Sequence, residues 1–149
     1  MRVAIGADHA GYDLKQALAE GLLAAGHELV DVGAHAFDSE DDYPDFAVAV
    51  GEKVRGGEAD RGIVVCGSGV GSCVAANKLR GIRASVCHDV YSAGQGVEHD
   101  DLNVLCLGGR IIDVGLANQL ATAFLAARFQ PEDRFARRLG KVLEAERRG

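Results

Sequence analysis

One stretch of the sequence decides the fold: Gly62-Ile63-Val64-Val65-Cys66-Gly67-Ser68-Gly69-Val70-Gly71. Its first half is a continuous apolar run, which is typical of a strand covered on both faces of a parallel sheet. Its second half is a glycine-rich turn that leads into an apolar helical pattern over residues 70–79. A strand, a tight turn and a helix in this order form the repeating unit of an α/β fold.

The same alternation extends in both directions along the chain. β-branched apolar runs predict five strands, at Arg2–Gly6, Glu28–Val32, Gly62–Cys66, Ile82–Cys87 and Val104–Gly108. Apolar residues at helical spacing predict five helices, over Tyr12–Ala25, Asp45–Arg55, Val70–Leu79, Val114–Ala127 and Pro131–Arg147. We therefore expect one α/β domain over residues 1–149, with a doubly wound parallel sheet and right-handed crossovers. The acidic segment 38–45 is predicted to be a solvated loop.

Composition and charge exclude several classes of function. The chain has 149 residues and a formal net charge of −6, whereas a nucleic-acid-binding protein needs a basic surface. No apolar run approaches the roughly 18 residues of a membrane span, and the N-terminus enters a strand pattern without a signal sequence. The four cysteines form no C-x-x-C pair, so we expect reduced thiols in a cytoplasmic protein.

Polar and titratable residues follow the predicted strands at their carboxyl ends. The first strand is followed by Asp8-His9, the third by Cys66–Ser72, the fourth by His88-Asp89 and the fifth by Gly109-Arg110. Ligands of open parallel sheets bind in the crevice at this edge. The sequence therefore predicts that the functional site lies there.

The glycine-rich loop Cys66–Gly71 carries the most information about chemistry. Backbone N–H groups where a helix begins can bind phosphate or stabilise an oxyanion, although glycine can also serve the tight turn alone. The same position favours the ionised form of the Cys66 thiol, which makes it a candidate base or nucleophile instead of a buried apolar residue. The loop partly imitates a dinucleotide-binding fingerprint, but Ser72 occupies the third glycine position.

Other candidate residues each admit two interpretations. His99 stands between acidic residues in a predicted loop and suits either acid–base chemistry or an ordinary surface position. Asp8 suits either a binding site or the cap of the first helix. Arg134 and Arg138 share one helix face and suit either phosphate binding or a solvated basic surface. No H-x-H or H-x-x-x-H pair occurs, which disfavours a metal site.

Seven motifs occur along the chain from about Val3 to Arg138. They are Asp8-His9-Ala10-Gly11, Asp42-Tyr43-Pro44, the Cys66–Gly71 loop, Ala75-Ala76-Asn77-Lys78 with Gly81-Ile82-Arg83-Ala84, Tyr91-Ser92-Ala93, His99 with Asn103-Val104, and Arg134 with Arg138. In this order they resemble the type B ribose-5-phosphate isomerases, a family that also contains allose-6-phosphate isomerase and galactose-6-phosphate isomerase subunits. The seven together are far more specific than any one of them.

The resemblance implies a three-layer Rossmann-like fold with a five-stranded parallel sheet and a C-terminal helix that contacts a neighbouring subunit. It implies an aldose–ketose isomerase that acts on a small phosphorylated sugar and needs neither a cofactor nor a metal. It also implies a homodimer, or a dimer of dimers, whose active sites are shared between subunits.

The resemblance further implies roles for single residues. Cys66 is the base that moves a proton between C1 and C2, Ser68 helps the loop amides to hold the enediolate oxygens, and His99 assists ring opening. The substrate-binding residues that it implies are Asp8, His9, Tyr43, Gly67, Gly69, Gly71, Asn77, Asp100, Arg110, Arg134 and Arg138. Among these, His9 and the three arginines bind the phosphate.

Three positions depart from the common pattern of the family, the mildest being Ser68, which replaces a frequent threonine. Asp100 stands where many members have asparagine, and Phe135 stands where a histidine often follows the first arginine. One branch of the family has a glutamate base at the position of Ser72, so the cysteine branch fits this chain better. We expect D-ribose 5-phosphate as substrate, with allose 6-phosphate, galactose 6-phosphate or a tetrose phosphate as alternatives. A non-catalytic sugar-phosphate or nucleotide-binding module is the alternative outside the isomerases.

Overall fold

The computed structural model describes residues 1–149, which form one parallel sheet covered by helices. The five strands lie in the order β2-β1-β3-β5-β4, and every neighbouring pair is parallel. Their bounds are β1 (Arg2–Ala7), β2 (Glu28–Gly33), β3 (Arg61–Cys66), β4 (Ala84–Val86) and β5 (Val104–Gly108). The predicted α/β fold with a five-stranded parallel sheet is confirmed.

Six helices cover the two faces of the sheet. They are α1 (Tyr12–Ala24), α2 (Tyr43–Arg55), α3 (Val70–Ala76), α4 (Val90–Asp100), α5 (Val114–Ala126) and α6 (Asp133–Arg148). Side chains alternate between two cores along each strand. On β3, Ile63 and Val65 pack with α1, α4 and α5, whereas Val64 packs with α2 and α3. None of these helices is long and apolar enough to cross a membrane.

Helix α4 was absent from the sequence prediction, and its presence corrects the predicted environment of His99. The helix begins after Asp89, whose side chain accepts a hydrogen bond from Ser92 N at 2.7 Å. Its buried stripe consists only of Ala93 and Val97, which is a weak periodic signal. His99 therefore lies in the last turn of a helix and not in a loop.

Strand β4 and helix α3 are shorter than their sequence patterns indicate. Asn77 connects the end of α3 to the start of β4. Its Nδ2 donates a hydrogen bond to Ala84 O at 2.9 Å, and its Oδ1 accepts one from Ala84 N at 2.8 Å. These bonds tie the end of α3, which stops at Ala76, to the start of β4, which begins at Ala84 and extends to Val86.

The strand order places a crevice between β1 and β3. The chain leaves β1 toward β2 on one side and leaves β3 toward β4 on the other, so the connections diverge at the carboxyl ends of these neighbouring strands. Gly11 permits the close approach of the first loop, since an added Cβ would lie 2.3 Å from Val65 O. The residues that follow β1 and β3 therefore face one another.

Candidate active site

A cavity of about 320 Å³ opens where β1, β3 and β5 end. It is lined by Asp8, Tyr43, Cys66, Gly67, Ser68, Gly71, Arg110 and Ile111. Seven of these eight residues are among those singled out in the sequence, and they come from four separate parts of the chain. Ile111 was missed, and only its position directly after Arg110 could have pointed to it.

The Cys66 side chain ends β3 and is 5% exposed. Its Sγ accepts a hydrogen bond from Gly69 N at 3.2 Å and lies 3.2 Å from Ser72 Oγ. Gly69 has a φ of 83°, and an added Cβ would approach the Leu107 backbone to 3.1 Å. Glycine is therefore required at this position for the amide to point at the sulfur.

The loop after β5 is tied to the loop after β3, which fixes Arg110 beside the cysteine. Gly109 N donates to Cys66 O at 2.7 Å, and Arg110 N donates to Gly67 O at 3.1 Å. The guanidinium extends over Gly67, where an added Cβ would lie 3.5 Å from Arg110 Nη1. A permanent positive charge thus lies in the same cavity as the thiol.

His9 lies beside this cavity and is held by a carboxylate that the sequence analysis did not single out. Asp41 Oδ1 lies 2.7 Å from His9 Nδ1 and accepts a hydrogen bond from His9 N at 2.9 Å. The hydrogen bond to Asp41 raises the pKa of His9 above its ordinary value, and the charge of Asp8 adds to the effect. The imidazole is therefore cationic over a wider pH range, which suits an anionic ligand.

Asp41 also corrects the expectation for the acidic segment 38–45. Its side chain is only 11% exposed, so this part of the segment packs against the site instead of lying in solvent. No local pattern could have shown this, because Asp41 and His9 are separated by 32 positions in the sequence.

Asp8 is not the cap of the first helix, because the N-cap of α1 is Gly11 and no side chain caps it. Its Oδ1 accepts a hydrogen bond from Gly11 N at 3.1 Å and so closes the turn before α1. The residue also lines the cavity. Asp8, His9 and Asp41 each offer one potential metal-ligating atom within 4.8 Å of the others. Because His9 and Asp41 are already bonded to one another, the arrangement suits an ion pair better than a metal site.

Tyr43 closes the cavity from the start of α2. Its ring lies against Gly71, where an added Cβ would come within 2.6 Å of the ring atoms. Gly71 is therefore needed for this contact. Ser68 lies at the opposite side of the loop, and its Oγ accepts a hydrogen bond from Val70 N at 3.3 Å.

His99 does not reach the cavity of its own chain. Helix α4 runs back across the sheet, so its last turn lies near the amino end of β5, whereas Cys66 pairs with Gly108 at the carboxyl end. The length of β5 alone separates these ends by roughly 13 Å. The His99 ring stacks on Phe135 at 3.9 Å, and its Nδ1 lies 2.8 Å from Gln95 Nε2.

The other predicted residues that lie apart from Cys66 fall into two groups. Arg134 and Arg138 are exposed near the start of α6, and the Arg134 guanidinium lies 4.7 Å from the Phe135 ring centre. We call His99, Arg134 and Arg138 the His99 surface; Phe135, on which His99 stacks, is itself only 2% exposed. Asn77 and Asp100 line a second cavity of about 670 Å³ beside β4.

Comparison with known proteins gives consistent matches over nearly the whole chain. A family model described as Ribose/Galactose Isomerase matches residues 3–142. The solved ribose-5-phosphate isomerase B of Clostridium thermocellum is 47% identical with a TM-score of 0.95, and 99% of each chain is covered. The ribose-5-phosphate isomerase B of Mycoplasma genitalium, solved with bound ribulose-5-phosphate, is 38% identical with a TM-score of 0.92, and the match covers 99% of this chain and 97% of that one.

A relative whose name gives a different substrate is similar to the same degree. D-erythrulose-4-phosphate isomerase 2 of Mycolicibacterium smegmatis (strain ATCC 700084 / mc(2)155) is 39% identical over 148 residues, which cover 98% of this chain and 97% of that protein. The comparisons therefore agree on sugar-phosphate isomerisation and include relatives that act on sugars of different length.

Proposed function

The chain belongs to the ribose/galactose isomerase family, and we propose that within it the protein interconverts D-ribose 5-phosphate and D-ribulose 5-phosphate. It is an enzyme of the sugar-phosphate isomerase class. One observation supports the proposal most strongly: a buried thiol and two cationic groups, Arg110 and His9, meet at the carboxyl edge of β1, β3 and β5. These are the groups that proton transfer on a phosphorylated sugar requires.

In the proposed reaction, the Cys66 thiolate removes the C2 proton of the open-chain aldose. The released electron pair forms the C1–C2 double bond, and the carbonyl oxygen O1 gains negative charge. A proton then moves from O2 to O1, the thiol returns its proton to C1, and O2 becomes the ketose carbonyl. Ser68 and the loop amides stabilise the enediolate oxygens, which carry most charge between the two proton transfers.

The phosphate is bound at the cationic side of the cavity. His9 and Arg110 approach it from the loops after β1 and β5, and both groups carry positive charge that attracts the phosphate dianion. Because the phosphate does not react, its binding energy aligns C1 and C2 with the sulfur. Asp8 and Tyr43 line the part of the cavity that receives the sugar.

We propose that a second copy of the chain completes each site. His99 lies too far from Cys66 to act with it within one chain, whereas the His99 surface combines a half-buried imidazole with two exposed arginines. In a two-fold dimer, the His99 surface of each chain docks on the Cys66 cavity of the other chain, so two equivalent contacts form together. His99 then assists ring opening, and Arg134 and Arg138 join the phosphate site. Asn77 and Asp100 extend the sugar pocket in this arrangement, and a dimer of dimers preserves it.

The preferred sugar is a pentose phosphate in this proposal, and the matched structures named for ribose-5-phosphate support it. A tetrose phosphate is the second candidate because a relative of nearly equal similarity is named for erythrulose 4-phosphate. Asp100 adds a carboxylate beside the second cavity and is the departure best placed to change sugar selection. Comparing kcat/KM for ribose 5-phosphate, erythrulose 4-phosphate, allose 6-phosphate and galactose 6-phosphate decides among the candidates.

We also propose that the reaction proceeds without metal and that the enzyme works in the cytoplasm. Support for the first point comes from the residues, since Cys66 supplies the base and Arg110 the charge that a metal would otherwise provide. The proposed cytoplasmic location is supported by the four free cysteines, because thiols persist in reducing compartments.

The test of the proposed function is direct assay of ribose 5-phosphate isomerisation by the wild type and by Cys66→Ala. We expect kcat to fall by about 10²–10⁴-fold, since the variant lacks the base. Competitive inhibition by inorganic phosphate should persist, because the phosphate site remains. Cys73→Ala is the matched control, as Cys73 lies seven positions further along and does not line the cavity. A wild type that binds phosphate but turns over no sugar phosphate would instead indicate a binding module.

A further inference from the structure

Next to Cys66, but outside the lining of the active-site cavity, lies a buried hydroxyl that the proposed reaction leaves unused. Ser72 lies in the first turn of α3, and its side chain is fully buried. Its Oγ lies 3.2 Å from Cys66 Sγ and donates to Gly69 O at 3.0 Å. A buried hydroxyl in contact with the reacting sulfur must respond when that sulfur gains or loses a proton.

The available hydrogen atoms allow one arrangement for each state of the cysteine. When Cys66 is a thiol, its S–H donates to Ser72 Oγ, and the serine hydroxyl donates to Gly69 O. When Cys66 is a thiolate, it has no hydrogen to donate and only accepts. The serine hydrogen can then turn from Gly69 O to the sulfur, where the Gly69 amide already donates a hydrogen bond at 3.2 Å.

We propose that Ser72 is a positioning residue for Cys66, whose hydroxyl turns toward the sulfur to stabilise the thiolate and turns back when the sulfur is protonated. This inference rests on the proposed function in that it assigns Cys66 as the base. No proton leaves Ser72: the transferred proton passes from carbon to sulfur and returns to carbon, while the serine hydrogen changes only its acceptor. Ser72 also holds the Cys66 sulfur in one position between the two proton transfers.

The surroundings of this pair contain few groups that could replace Ser72. Across the cavity, the titratable groups near Cys66 are Asp8, Tyr43 and Arg110. Behind Ser72 lies Cys106 of β5, and the hydrogen bond with Cys73 together with burial raises the pKa of Cys106 well above its ordinary value. Cys106 therefore stays a thiol, whereas the same hydrogen bond lowers the pKa of Cys73 to about 6, so the negative charge of this pair lies on Cys73 and not on Cys106.

The first test measures the thiolate directly and needs no substrate. Cys66 is alkylated with iodoacetamide over a range of pH in the wild type and in Ser72→Ala. Digestion with trypsin after Arg61 and Lys78 gives one peptide that contains both Cys66 and Cys73, and its fragment ions assign the label to either residue. We expect Cys66 alkylation in the variant to be at least about tenfold slower at neutral pH, with its midpoint moved to higher pH, because a hydrogen bond to a charged group is lost.

The second test separates positioning from general structural damage. In Ser72→Ala, kcat for ribose 5-phosphate should fall about tenfold while KM changes less than about twofold, since the serine contacts the base and not the sugar. Ser72→Thr keeps the hydroxyl and should recover most of both kcat and the alkylation rate. Thr122→Ala removes the hydroxyl of an exposed α5 residue that lines neither the active-site cavity nor the second cavity, and should leave both values unchanged.

Two results would overturn the inference. One is alkylation of Cys66 in Ser72→Ala at the wild-type rate and with the wild-type midpoint. The other is a fall of kcat in Ser72→Ala that is equally large in Ser72→Thr, although the Tm of Ser72→Thr equals that of the wild type. The alkylation result stands whether or not the wild type isomerises ribose 5-phosphate, so failure of this inference and failure of the proposed function are distinguishable.

Discussion

At the scale of single residues, the site depends on contacts that bring polar groups to one sulfur. Gly69 directs its amide at Cys66, and Gly71 makes room for the ring of Tyr43. A side chain at either position would collide with its neighbours, at 3.1 Å from the Leu107 backbone in one case and 2.6 Å from the tyrosine ring in the other. The glycines of the loop therefore shape the cavity as well as supply its amides.

The contact between His9 and Asp41 leads to a prediction about pH. Asp41 raises the pKa of His9, so the imidazolium that binds phosphate persists to higher pH than an ordinary histidine would allow. In Asp41→Asn, the amide oxygen still accepts hydrogen bonds but the negative charge is lost, and the pKa of His9 falls. We expect KM for ribose 5-phosphate to be higher in the variant around neutral pH, where only the wild-type His9 keeps its proton, and to match the wild type near about pH 5.5, where His9 is protonated in both.

KM measured from about pH 5.5 to 8.5 checks this expectation. Asp38→Asn is the control in the same loop, because Asp38 is exposed and its side chain bonds only to Glu40 N at 3.0 Å. Superimposable KM profiles for the wild type and Asp41→Asn would show that this carboxylate does not act on phosphate binding.

Sequence reasoning identified the residues whose role follows from their place on a strand. Cys66 ends an apolar strand, and Asp8 and Arg110 follow theirs by one and two residues, so the rule that parallel strands share a carboxyl edge brings them together. Asp41 and Ser72 have no such signal. Asp41 acts through a partner 32 positions away, and Ser72 acts through a turn whose backbone geometry a sequence does not show.

At the scale of elements, α4 decides where His99 lies. Its sequence contains Gly94 and Gly96, which weaken helix propensity, and its buried stripe is narrow. Tertiary contacts compensate: Ala93 and Val97 are fully buried in the core shared with α5. The helix was missed for this reason, whereas α1 and α5, which carry leucines at regular spacing, were predicted to within one residue at each end.

The start of α4 gives a prediction about stability. The Asp89 side chain caps the helix through Ser92 N, and this hydrogen bond lowers the pKa of the Asp89 carboxyl. A lowered pKa means that the stabilisation is present at neutral pH and is lost as the pH falls through the folded-state value. We expect Asp89→Ala to lower Tm by a few degrees at neutral pH, with the difference from the wild type shrinking in acid.

Asp89→Asn serves as the control, because asparagine is also a strong N-cap and should largely retain the wild-type Tm. Thermal unfolding followed by circular dichroism at neutral and acid pH measures all three proteins. If Asp89→Ala melts at the wild-type temperature at neutral pH, the cap contributes nothing to the element that carries His99.

At the scale of the whole molecule, the two halves of the predicted chemistry lie at opposite edges of one sheet. The thiol, Ser68, Arg110 and His9 gather at the carboxyl edge, whereas the His99 surface lies toward the amino edge. Parallel topology produces this separation, since every helix returns the chain to the amino edge before the next strand. The sequence predicted the sheet and the residues at its carboxyl edge. The distance between Cys66 and His99 follows only from the location of α4.

The central claim is that each active site combines Cys66 of one chain with His99 of another, and mixing two inactive variants tests it most directly. Cys66→Ala and His99→Ala are each assayed alone and then after being unfolded together and refolded as a mixture. If sites are shared, half of the randomly formed dimers are hybrids, and each hybrid contains one site with both groups intact. The mixture should then recover about a quarter of wild-type activity per chain. A mixture that stays as inactive as its two components, although native mass spectrometry shows that hybrids have formed, would contradict it.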